Sequence, residues 1–97
     1  MLTLSETKLY LRIDGDDEDT LVSSLIEMAK ELVEDVLRKK LTEFEEVPET
    51  VRHAVLLTVA TLYEQRQVTS GSDGINMQEL LSILRRMLFA YRDNSRW

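Results

Sequence analysis

Residue types that can attack a substrate, relay a proton or ligate a metal are scarce in this chain of 97 residues. His53 is the single histidine, and there is no cysteine. A lone imidazole in the first turn of an apolar helix is expected to be structural, because no thiol or second imidazole is present to form a nucleophile pair or a zinc ligand set. The carboxylates of Ile13-Asp14-Gly15-Asp16-Asp17-Glu18-Asp19-Thr20 raise calcium as a possibility. An EF-hand loop opening at Asp14 needs glycine at its sixth position and glutamate at its twelfth. This chain has Asp19 and Leu25 there, so the acidic run reads instead as a turn whose aspartates cap the following helix and suit its dipole. Other carboxylate pairs fall on helix faces that expect solvent rather than a pocket. Gly71-Ser72-Asp73-Gly74 lacks the lysine and the preceding strand of a phosphate loop. No catalytic, cofactor or metal site is expected, and the chain reads as non-enzymatic.

The elements that position these residues are organised around Val51–Val68. No charged residue lies between Arg52 and Glu64, and apolar residues fall on nearly every side of a helix there. A helix apolar almost all round is a buried one, so this segment is expected at the centre of a small all-α bundle. Pro48-Glu49 is a sound start, since proline at the first turn leaves no amide unpaired. Tyr63-Glu64-Gln65-Arg66 forms its polar exit.

Three further helices are expected around it, making about four. Thr3-Leu4-Ser5-Glu6 fits a capping box and opens a short helix to about Arg12. From Asp17 to Lys40 the apolar residues Leu21, Val22, Leu25, Ile26, Ala29, Leu32, Val33, Val36 and Leu37 recur every three or four positions, the mark of a long amphipathic helix. Its other face carries Glu27, Lys30, Glu31, Glu34, Asp35 and Arg38, and Arg38-Lys39-Lys40 would close it with cations that suit the dipole. Leu41–Thr50 is an acidic connector, with Phe44 and Val47 tucked beneath it. Thr69–Asn76 is rich in glycine and small polar residues and reads as a mobile loop. Asn76-Met77-Gln78-Glu79 repeats the cap signature and opens a last helix through about Tyr91, with Arg85, Arg86 and Arg92 outside its leucine-rich stripe. Residues 93–97 read as a frayed tail ending in Trp97.

One domain, 1–97, accommodates all of this, and a core this small leaves room for stabilisation by partner subunits. The formal charge of -6 argues against tight nucleic-acid binding, which depends on clustered lysine and arginine. Residues 1–50 hold six Lys/Arg against fourteen Asp/Glu, whereas residues 51–97 hold six against four. The chain is acidic in front and mildly basic behind. The absence of cysteine is compatible with a reducing compartment. No uncharged run approaches the ~20 residues needed to cross a bilayer, and the N-terminus shows no signal-peptide pattern, so no membrane association is expected. Two classes survive: a structural subunit, and a small helical DNA-binding or regulatory protein whose arginines would touch phosphates. The second lacks a short polar recognition helix after a tight turn.

Several of these segments, taken in order, resemble the small head-tail connector (adaptor) proteins of tailed bacteriophages and prophages. The matching pieces are Lys8-Leu9-Tyr10-Leu11-Arg12-Ile13-Asp14, the acidic Asp16-Asp17-Glu18-Asp19, then Leu21, Leu25-Ile26 and Ala29. They continue with Pro48-Glu49-Thr50-Val51-Arg52-His53-Ala54-Val55-Leu56-Leu57 running into Leu62-Tyr63-Glu64-Gln65-Arg66. The last helix matches more loosely, with Gly-Ser-Asp-Gly where such proteins often have a proline-containing turn. The resemblance implies a virion subunit, made in the bacterial cytoplasm, that forms a ring beneath the portal and follows its dodecameric symmetry. Its partners would be itself, the portal protein and a tail or stopper protein. DNA would pass through as cargo, unheld by acidic lumen residues. A ring needs unlike faces to meet. The charge pattern offers Glu27, Glu31 and Glu34 on one subunit against Arg85, Arg86 and Arg92 on the next. Tyr63, Arg66 and Trp97 are further candidate contacts.

Overall fold

A computed structural model describes residues 2–67 and 77–92, with the backbone alone for 65–67. Four α-helices follow in order: α1, Leu4–Leu11; α2, Asp19–Leu37; α3, Glu49–Gln67; and α4, Met77–Leu88. Single 3₁₀ turns at Leu41–Glu43 and Phe89–Tyr91 complete the described elements, among which there is no strand. The expected mobile loop 69–76, with its Asn76 cap, and the expected tail 93–97 lie outside the described residues.

The start of α1 is the expected capping box. Thr3 Oγ1 accepts the Glu6 amide at 3.0 Å, and the Glu6 carboxylate accepts the Thr3 amide at 3.3 Å. The helix closes at Arg12, whose left-handed φ of 61° lets its amide reach back to the carbonyls of Lys8 and Leu9. Gly15 then takes φ 85°, a conformation open to glycine at no steric cost, and turns the chain toward α2. The acidic turn does not cap α2 as expected. Glu18 stands at the cap position with no side-chain cap bond. Asp16 and Asp19 are drawn instead to the Lys8 ammonium, at 3.3 and 2.7 Å, so the carboxylates clamp α1 onto the start of α2. A full positive charge one loop away outcompetes the partial charge of a helix end.

α2 buries Val22, Leu25, Ile26, Ala29, Val33 and Leu37, six of the nine apolar residues of its periodic stripe. It ends at Leu37, not at Lys40. Arg38 swings into the left-handed region at φ 61° and sends its amide to the Glu34 carbonyl at 2.8 Å. Lys39 and Lys40 therefore lie beyond the helix. Lys39 places its ammonium 4.0 Å from the centre of the Phe44 ring, which packs with Val47 against the core as expected.

α3 is the centre the sequence pattern requires. Val51, Ala54, Val55, Leu56 and Val59 are buried, and so are Thr58 and Thr61. The two hydroxyls donate to carbonyls one turn back, Ala54 at 2.8 Å and Leu57 at 2.9 Å, so neither is left unsatisfied in the core. α2 lies along α3, and Leu80, Leu84 and Leu88 of α4 close the remaining side. The Cα envelope is 41 × 29 × 17 Å. Since one helix with its side chains is about 10–12 Å across, so thin a slab leaves both flanks of α2 within reach of solvent.

Candidate functional site

Two flanks of α2 gather most of the described charged candidate residues. On one flank Glu27, Lys30, Glu31 and Glu34 recur at helical spacing. With Lys40, Leu41, Thr42 and Val47 of the connector they line a surface hollow of about 510 Å³. Glu34 has internal work here. Its carboxylate accepts the Leu41 amide at 2.8 Å, tying the chain after α2 back onto the helix. Glu27 pairs with Lys30 at 3.0 Å, and both Glu27 and Glu31 are exposed.

On the other flank Leu32, Asp35 and Val36 of α2 face Leu81 and Arg85 of α4, and Arg38 and Arg92 complete a hollow of about 330 Å³. The two hollows share no residue. Arg92 is half-buried, and its Nε is sealed from solvent with no hydrogen-bond partner among the described residues. Arg86 is exposed but does not join Arg85. It lies beside Gln78, Glu79, Ser82 and Ile83, because neighbouring positions on a helix point about 100° apart. The three arginines expected to act together are thus two plus one.

Tyr63 lies elsewhere. Its hydroxyl donates to the Glu18 carboxylate at 2.8 Å, joining the later turns of α3 to the start of α2 across 45 residues of sequence. The Arg66 side chain and all of Trp97 lie outside the described residues.

His53, expected to be a structural residue of a buried helix, has 57% of its side chain exposed and stands 3.6 Å from Glu49. Helical phase explains the difference. Val51, Ala54 and Val55 turn inward, which leaves position 53 facing out. Beside it Arg52 pairs with Glu6 of α1 and, at 3.6 Å, with Glu49. The Lys8 ammonium is held above its ordinary 10.5, chiefly by its hydrogen bond to Asp19; desolvation opposes this and Asp16 adds to it. Sequence reading missed these tertiary pairs. The Glu49/Arg52 spacing of three was a signal for the local pair within α3, whereas nothing local links Tyr63 to Glu18 or Arg52 to Glu6.

Among the described residues no group of three or more His, Cys, Asp or Glu is arranged to hold a metal ion. No described helix is long and apolar enough to cross a membrane. The geometry is that of a surface with two unlike charged flanks.

Comparison with known proteins bears on the whole chain. No curated protein matches it. The fold is similar to the crystal structure of bacteriophage HK97 gp6, with a TM-score of 0.73 at 22% identity, covering 95% of this chain and 93% of that one. Residues 1–92 match the family described as phage gp6-like head-tail connector protein. The chain belongs to the phage gp6-like head-tail connector family.

Proposed function

We propose that this protein is a non-enzymatic structural subunit of the virion, which assembles with copies of itself into a ring beneath the portal of a tailed phage or prophage. The ring extends the DNA channel, follows the portal's symmetry, and offers its far side to a tail or stopper protein. The observation that carries this reading is the family match across 1–92. The separate charged flanks of α2 support it, because a cyclic assembly larger than a dimer needs one surface of each subunit to meet a different surface of the next.

In this reading the flank of Glu27, Glu31 and Glu34 faces the arginines of α4 on the neighbouring subunit. Exposed ion pairs contribute about 0–1 kcal/mol each, so they set register and partner choice more than strength. Tyr63, Arg66 and Trp97 are secondary contacts. The net charge of -6 suits a channel through which DNA passes without being held.

Electron microscopy of the purified protein, alone and mixed with portal-bearing capsids, tests the reading. Rings, or added density at the portal vertex, are the expected result. Neither rings nor vertex density, together with tight and salt-sensitive DNA binding, would transfer the protein to the regulatory class.

A further inference from the structure

We infer that the arginine hollow between α2 and α4 receives the acidic connector of a second copy of this chain, with Glu45 and Glu46 as the inserted groups. The inference rests on the ring reading and names the contact within it.

The hollow combines an apolar floor of Leu32, Val36 and Leu81 with guanidinium groups from Arg85 and Arg92 at its rim. Asp35 is its one carboxylate, set against three arginines when Arg38 is counted. Arg85 is exposed and Arg92 half-buried, so both present cations to the hollow with which an incoming carboxylate can pair. Such a site selects an acidic segment.

The chain's own acidic segments differ in how far they are already engaged. Asp16 and Asp19 hold Lys8, Glu27 holds Lys30, and Glu34 holds the Leu41 amide. Glu43 caps its own 3₁₀ turn through the Lys40 amide at 2.9 Å. Glu45 and Glu46 are adjacent, exposed, and carried on a connector anchored at both ends, by Leu41 in the core and by Phe44 and Val47 packed beside it. They are therefore presented as a pair on a fixed loop.

Position along the molecule selects them further. The connector is bonded to α2 at Glu34, and the arginine hollow takes its α2 wall from Leu32 to Arg38. Both sites lie at the same end of α2 but on different flanks. Subunits related by rotation in a ring bring unlike patches at one level together, which this arrangement allows. Within a single subunit the connector's Leu41, Thr42 and Val47 line the hollow that lacks Arg85 and Arg92, and the two hollows share no residue, so the pairing is assigned between copies.

The test uses the 97-residue chain, which has no cysteine. Glu46→Cys and Arg85→Cys are placed together in one chain, assembled alone or on portal-bearing capsids, and treated with a short bis-maleimide. A ladder of covalent multimers is expected, with each single variant stopping at a dimer at most. In parallel, Glu45→Arg with Glu46→Arg lowers ring yield roughly tenfold or more, Arg85→Glu does the same, and the combined variant recovers it. Unchanged circular dichroism melts confirm that each variant folds. Rings that form without a ladder, and that tolerate reversal of Glu45 and Glu46, would overturn this contact and leave the ring reading standing. No rings under any condition would overturn both.

Discussion

The buried side of α2 and its charged flanks obey different rules. On the buried side Val22, Ala29, Val33 and Leu37 are fully covered, and burial of apolar surface of this kind is the dominant favourable contribution to folding. On the flanks the same helix carries charges whose individual pairs are worth little in water. Carboxylates nevertheless outnumber cations beside the connector, Glu27, Glu31 and Glu34 against Lys30 and Lys40, while beside α4 Arg38, Arg85 and Arg92 outnumber Asp35. Packing explains why the helix forms. It does not account for the opposite charge balance of the two hollows, for which the proposed ring assembly offers a reason.

The largest effect of a single substitution is expected in the core. Leu84→Ala removes a fully buried side chain, and such truncations cost about 2–5 kcal/mol; urea unfolding of the isolated subunit measures it. A loss below about 1 kcal/mol would show that α4 is not held by packing.

Smaller and unequal effects are expected at two glutamates of one helix flank. Glu34→Ala removes the acceptor of the Leu41 amide and is expected to cost about 1–2 kcal/mol, the value being moderated by partial exposure. Glu31→Ala, at an exposed position, stays within about 0.5 kcal/mol while weakening assembly. Equal stability losses would erase the distinction between an internal anchor and a contact surface.

The smallest expected effect is a pH dependence. Because folding raises the Lys8 pKa above 10.5, its contribution to stability is fully present below the unfolded value and is lost as pH rises through the folded one. The stability difference between wild type and Lys8→Met therefore shrinks as the pH rises above about 10.5. A difference that grew with pH in that range would contradict the clamp of Lys8 on Asp19 and Asp16.

Much of this molecule was legible in the sequence because its signals are local. The apolar periodicity of Leu21–Leu37, the capping box at Thr3, the proline start at Pro48 and the uncharged run from His53 to Tyr63 each act within a turn or two. What escaped depends on tertiary placement. The acidic turn reads as a helix cap until α1 brings Lys8 alongside it. Arg38 looks like a last-turn cation until the backbone turns left-handed there, and Arg86 looks like Arg85's companion until α4 turns it into another hollow. The candidate interface was legible as charge asymmetry, but which carboxylates have internal partners was not, since the Glu34 bond to Leu41 is set by the path of the connector.

The central claim is that subunits meet through unlike flanks of α2, and mixing two inactive variants tests it most directly. One carries Arg85→Glu, and the other carries Glu31→Arg, Glu45→Arg and Glu46→Arg. Each alone sediments as a small species, because one of its flanks repels the unchanged flank of its neighbour. In an equimolar mixture every altered flank finds its complement, and the predicted result is recovery of rings containing both variants in equal number. Rings formed by either variant alone, or an equimolar mixture that stays small while the wild type assembles, would contradict the account.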